Sequence, residues 1–200
     1  MGGRAGGGAG MGSRSRGGYS SARARELAGK YLGDVKNPAL KKELADGLAA
    51  FEKEFGLPEN LSITMATLST ESRYGQIQLS TNRVELNKKL EDGRMSLSLA
   101  KHAITHELAH SLDRTYKTEM SRDGKMTVKA EHKSFEKQLL NEYKSFKFNH
   151  GRGHADAKSI GQYALKNKHE FFADAIAKHF TGTTNRYTTF AYNLAKSMKK

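Results

Sequence analysis

The sequence predicts an α+β fold, with a small mixed β-sheet followed by a histidine-bearing helix and a mostly helical C-terminal half. Three observations predict it. Leu40, Leu44, Leu48, Phe51 and Phe55 recur at spacings of three and four, the period of one helix face. Three short stretches between residues 61 and 89 alternate apolar with Ser, Thr and other polar residues, as half-buried strands do. From Leu97 onward the apolar positions return to helical spacing in several separate segments.

Each element follows in order. Residues 1–25 are rich in glycine (Gly2, Gly3, Gly6, Gly7, Gly8) and arginine (Arg4, Arg14, Arg16, Arg23, Arg25), bury almost nothing and are expected to be a disordered tail. A single domain is expected over 26–200. A helix runs from Pro38 until Gly56-Leu57-Pro58 stops it. Strand candidates are Leu61 to Leu68, Tyr74 to Leu79 and Val84 to Lys89. Gly93 to Ser96 introduces the next helix, and the charge-rich stretch from Lys117 to Lys129 reads as a loop or hairpin. Helices follow from Ala130 to Phe148, Lys168 to Phe180 and Tyr187 to Met198, with a flexible polar loop at His150 to His154.

Composition sets further bounds. At 200 residues and 36% hydrophobic content the chain can build one core, and a net charge of +13 favours an acidic substrate or partner. The basic tail is a candidate for attachment to nucleic acid or another acidic surface, with a solvated arm as the default. It lacks the apolar segment of a secretory signal peptide, and no window of about 18 apolar residues exists to span a membrane. A cytoplasmic or virion-associated location is expected, with delivery into another cell kept open. Cysteine is absent, so any metal must be held by histidines and carboxylates.

The chemistry concentrates in His106-Glu107-Leu108-Ala109-His110, an H-E-x-x-H pentapeptide. Positions i and i+4 share a helix face, so both imidazoles can reach one metal while Glu107 lies beside it. An exposed amphipathic helix is the plain alternative. The surroundings oppose it, because Leu99, Ala100, Ala103, Ile104, Leu108, Ala109 and Leu112 interleave with the histidines and leave few solvating charges. A catalytic zinc normally takes three protein ligands. The segment Lys168 to Phe180 offers Glu170 and Asp174, four residues apart among Phe171, Phe172, Ala175 and Ile176. Carboxylates among so much apolar surface are costly unless a metal or a ligand histidine pairs with them.

Other histidines are weighed alike. Three ligands on one straight helix span ~12 Å of rise, so His102 is expected to be partly buried and hydrogen-bonded, not a ligand. His150 and His154 could form another metal pair or a substrate-facing rim, although loop composition favours a plain loop. His169 and His179 are expected to face solvent or cap their helix.

Ile104-Thr105-His106-Glu107-Leu108-Ala109-His110-Ser111-Leu112-Asp113, together with Tyr163 followed seven residues later by Glu170-Phe171-Phe172-Ala173-Asp174, resembles the gluzincins. The closer likeness is to the catalytic domain of anthrax lethal factor and its relatives in bacteria and phages. It covers roughly Leu99 to Phe180. The resemblance implies a zincin-like domain in which His106, His110 and Glu170 bind one Zn2+ per chain. It implies Glu107 as general base, Tyr163 as an electrophilic helper, and Asp174 as acceptor for the far nitrogen of a ligand histidine. It also implies an edge strand, here Tyr74 to Ser80, that pairs with an extended protein or peptide substrate. The expected activity is zinc-dependent endopeptidase cleavage. Rival expectations are a non-catalytic zinc-stabilised phage or nucleic-acid-associated module and a delivered toxin or effector protease.

Overall fold

The computed structural model describes residues 18–68, 74–114, 118–120, 123, 126–128 and 133–197, and its architecture is α+β. Helix α1 (Ala22–Tyr31) starts at Ser21, whose hydroxyl accepts a hydrogen bond from Ala24 N. It buries Ala24, Leu27 and Ala28 against α2 (Pro38–Phe55). The boundary set at residue 25 is thereby corrected, since Ala22 to Arg25 are helical. Packing on α2 overrides the Gly/Arg-rich context, and the remaining tail at 1–17 lies outside the described residues. Helix α2 has the predicted bounds for local reasons. Asn37 accepts from the amides of Ala39 and Leu40, Pro38 fits the first turn, and Gly56 at φ +76° ends the helix in a region that other residues rarely adopt.

Strands β1 (Ser62–Ala66), β2 (Gly75–Gln78) and β3 (Arg83–Asn87) form one mixed sheet in the order β1-β3-β2. β1 runs parallel to β3, with Ile63 opposite Val84, and β2 runs antiparallel, with Ile77 opposite Val84. Among the described residues β2 is therefore an edge. The third strand ends at Asn87, not at Lys89, because the Asn87 side chain accepts from Lys89 N and opens the short helix α3 (Lys88–Glu91). A 3-10 turn at Leu97–Leu99, capped by Ser96, leads into α4 (Ala100–Arg114). Within the stretch expected as a loop or hairpin, β4 (Thr118–Met120) pairs antiparallel with β5 (Met126–Val128).

Helix α5 (Lys133–Gly151) runs past the predicted end at Phe148. His150 consequently lies in the last turn of a helix, buried with its ring 5.6 Å from that of Phe146, and not in a flexible loop. The short helix α6 (Ala155–Ile160) then precedes a 3-10 turn at Tyr163–Leu165. Helix α7 (Lys168–Phe180) has the predicted bounds, fixed at its start by Asn167, whose side chain accepts from the amides of His169 and Glu170. Helix α8 (Arg186–Ser197) closes the described chain. Among the described residues no helix is long and apolar enough to cross a membrane.

The core is arranged around α4. Ala103, Ile104, Leu108 and Ala109 are buried on that helix, between α2 on one side and α7 on the other. Gly47 permits the close approach of α2, because a Cβ there would stand 2.7 Å from Ile104 Cγ2. Phe171, Phe172, Ala175 and Ile176 bury the inner face of α7, and Phe171 packs in an aromatic group with Phe146 and Tyr187. Removing a buried ring of this kind costs about 3–5 kcal/mol, so the registry of α7 against its neighbours is strongly held. That registry is what places the polar residues described next.

Candidate metal centre

Helices α4 and α7 face one another through a ladder of polar side chains. His110 Nε2 lies 3.3 Å from Glu170 Oε2, His106 Nε2 lies 3.2 Å from the same oxygen, and His106 Nδ1 donates to Asp174 Oδ1 at 2.9 Å. His102 Nε2 completes the ladder at 3.2 Å from Asp174 Oδ1. Rising residue numbers on α4 thus meet falling numbers on α7, so the helices run antiparallel and a spacing of four on each brings successive partners together.

The upper part of this ladder is a triangle of donor atoms. His106 Nε2 and His110 Nε2 stand 3.2 Å apart, and each is 3.2–3.3 Å from Glu170 Oε2. A tetrahedral ion bound at about 2.0–2.1 Å holds its ligand atoms about 3.3–3.4 Å apart. The two imidazoles and one carboxylate therefore fit a divalent metal in both chemistry and spacing, and they form one of two groups of potential metal ligands among the described residues. The other group, His102, His106 and Asp174, shares His106 with the first. The two nitrogens of His106 face different partners, so Asp174 is positioned to fix the tautomer and the ring orientation.

Electrostatics follow the same contacts. Burial works against a charge on His106, but hydrogen bonds to Asp174 and Glu170 outweigh it and raise its pKa to about 10. Burial would raise the Glu170 carboxyl, yet bonds from His106 and His110 hold it well below the usual carboxylate range. Asp174 is lowered likewise by His102 and His106 against its own desolvation.

Glu107 and Tyr163 flank the triangle. Glu107 is 6% exposed and lies against edge strand β2, where a Cβ on Gly75 would be 3.1 Å from Glu107 Cγ and 3.2 Å from its Oε1. The Tyr163 hydroxyl lies 3.5 Å from Glu170 Oε1, and its ring centroid lies 5.9 Å from that of His106. At 42% exposure the phenol stands at the mouth of the cleft, where Lys166 approaches both its ring and Glu170 Oε1.

Two cavities meet here. One, of about 210 Å³, is lined by Gln76, Ile77, His110 and Glu170, and the other, of about 350 Å³, by Leu99, Ala103, Ile160 and Lys178. Gly75, His106, Glu107 and Tyr163 line both, so the expected strand at 74–80 does border the cleft.

All six residues singled out from the sequence, His106, Glu107, His110, Tyr163, Glu170 and Asp174, come together. Of the remaining histidines, His102 joins them through Asp174 Oδ1, partly buried and hydrogen-bonded as expected, whereas His150, His154 and His179 do not. His150 is held below its ordinary pKa by burial and by Lys158, and His154 occupies the N-cap position of α6 without a side-chain capping bond. His179, expected to face solvent or cap its helix, stacks on Tyr192 at 4.2 Å. Sequence reasoning overlooked Gly75 and Lys178. The signal for Lys178 was its spacing of four and eight from Asp174 and Glu170, whereas nothing in the sequence marks the close approach at Gly75.

Comparison with known proteins gives one finding that bears on this cluster. The family model described as Glucose-regulated metallo-peptidase M90 matches residues 59–191, a span that contains every residue of the ladder and both cavities. No curated protein and no solved structure matches the chain.

Proposed function

From the premise that the chain belongs to the glucose-regulated metallo-peptidase M90 family, and is a metallopeptidase, we propose that it is a zinc-dependent endopeptidase of the gluzincin kind. The observation that carries this reading is the triangle of His106 Nε2, His110 Nε2 and Glu170 Oε2, with Glu107 on one side and Tyr163 on the other. His106, His110 and Glu170 would hold the ion, and a carboxylate as third ligand, not a third histidine, defines the subtype. When bound, zinc supplies Lewis acidity, lowering the pKa of a water to about 7 and polarising a carbonyl oxygen.

The protein side chains do the remaining work. Glu107, buried against β2, takes a proton from the attacking water and returns it to the leaving amine. The Tyr163 hydroxyl donates a hydrogen bond to the oxyanion that develops on the substrate carbonyl, an interaction worth about 2.7–4 kcal/mol in comparable sites. Asp174 holds His106 through Nδ1, so that Nε2 faces the cleft. The edge strand β2 offers backbone groups to an extended peptide, and this orients the scissile bond across the two cavities. The likeness to the lethal factor catalytic domain belongs with this reading, since it rests on the interval from Tyr163 to Glu170.

Metal analysis combined with cleavage of an unbiased peptide library tests the proposal. Wild-type protein should carry one zinc per chain and cleave in a chelator-sensitive way. Glu107→Ala should keep the zinc and lose about 10²–10⁴-fold in kcat, and Tyr163→Phe should keep the zinc and lose about 10²–10³-fold. A zinc-loaded wild-type protein that cleaves nothing would leave the non-catalytic binding module as the reading. Full activity in Glu107→Ala would remove that residue as base.

A further inference from the structure

The polar ladder has one more rung, and it carries a charge that the peptidase chemistry does not use. Residues Glu170, Asp174 and Lys178 stand at spacings of four on α7, so Lys178 continues the face that meets α4, one turn beyond Asp174. There it lines the cavity of about 350 Å³ whose other walls include Leu99, Ala103 and Ile160. The cavity opens onto His106, Glu107 and Tyr163, so whatever fills it sits next to the reacting bond.

The charges around this cavity are mostly committed. Asp174 accepts from His102 and His106, and Glu107 packs against Gly75. Lys166, the other cation near the cleft, lies 3.8 Å from Glu170 Oε1 and over the ring of Tyr163. Among the described residues no carboxylate or hydrogen-bond acceptor engages the Lys178 ammonium, although Asp174 stands one helical turn away on the same face. The cavity's apolar walls are interrupted by His102, His106, Glu107 and Asp174, which have partners of their own, so the one uncommitted charge it presents is an ammonium, and this disfavours a second cation. A carboxylate can enter at an acceptable desolvation cost only where such a partner awaits it. The net charge of +13 on the chain acts in the same direction at longer range.

We infer that Lys178 is a specificity-determining residue, and that the cavity it lines takes the acidic side chain of a substrate residue adjacent to the scissile bond. The inference rests on the peptidase reading for its substrate, and it adds the substrate class, acidic peptides.

The test uses zinc-loaded protein and paired fluorogenic peptides that differ only by Glu or Gln at each position flanking the cleaved bond. Wild type should prefer Glu over Gln at one such position by about tenfold or more in kcat/KM. That ratio should fall to about one in Lys178→Met, and in Lys178→Glu the same position should prefer Lys. Cleavage by wild type with no acidic preference, or a preference that survives Lys178→Met, would overturn the inference while leaving the peptidase reading intact. If wild type cleaves nothing, the peptidase reading fails, and binding decides the inference separately. For that arm, Glu107→Gln protein is titrated with the same peptides by fluorescence anisotropy. Tighter binding of the Glu peptide that disappears in Glu107→Gln/Lys178→Met supports the role, and equal binding of both peptides by the two proteins overturns it. Lys178→Gln, closer in polarity, replaces Lys178→Met if the latter unfolds.

Discussion

His106 shows how much one residue can be asked to do. Nε2 faces His110 and Glu170 while Nδ1 donates to Asp174, and the carboxylates outweigh burial so that the pKa rises to about 10 from an ordinary 6.5. In metal-free protein the stabilisation that comes from the charged ring is fully present below pH 6.5 and is lost as pH rises through about 10. A metal held as proposed would need Nε2 without its proton and would leave the Nδ1 bond to Asp174 in place. Metal and proton therefore compete for one atom. Binding of zinc near pH 8 should release about one proton, and affinity should weaken about tenfold for each pH unit lowered between 10 and 7. Calorimetry in buffers of different ionisation enthalpy measures that release. A release near zero at pH 8 would show that the ring is already neutral there.

At the scale of elements, the contact between β2 and α4 sets the position of Glu107. A Cβ at Gly75 would meet Glu107 Cγ at 3.1 Å, Glu107 Oε1 at 3.2 Å and the backbone oxygen of Glu85 at 3.2 Å, and the last of these cannot move without opening the sheet. Gly75→Ala should therefore push the Glu107 side chain, and misplacement of a reacting group by about 1 Å can cost about 10² in rate. The expected variant keeps its zinc and its fold but loses at least tenfold in kcat; unchanged kcat in a zinc-loaded variant would mean that the strand yields instead. This contact also marks where the sequence stops being readable. The bounds of α2 and α7, the pair His106 and His110 and the pair Glu170 and Asp174 are legible because each pattern lies within one helix, where 3.6-residue periodicity converts spacing into a face, whereas the meeting of the two pairs was implied only by the resemblance to the gluzincins. Gly75 and Glu107 are brought together by tertiary packing, which no local period encodes. His150 was hidden differently, since Gly151 and Gly153 suggest a loop, while burial of Phe146 and His150 on one face carries α5 through to Gly151. In α1 the run Ala24, Leu27, Ala28 and Tyr31 has helical spacing, but the glycine and arginine preceding it masked the signal.

Across the whole molecule, the two helices that hold the triangle are also the centre of the core. α4 is packed between α2 and α7, so a metal bridging His106 and His110 to Glu170 would tie together elements whose separation is part of global unfolding. A ligand present at 1,000 times its Kd and bound only to the folded state adds about 4.1 kcal/mol. For a chain of 200 residues, at about 2–4 °C per kcal/mol, saturation with zinc should raise Tm by on the order of 10 °C, and chelator should reverse it. The control separates this linkage from any general effect of zinc. Glu170→Gln removes the charge of the proposed third ligand while conserving side-chain volume, so its Tm should hardly respond to zinc, although the same substitution also changes the metal-free protein by removing the partner of two histidines. The comparison that matters is therefore the zinc-induced shift within each protein, followed by scanning calorimetry with and without chelator. An equal shift in both proteins would place the stabilising ion somewhere other than between α4 and α7.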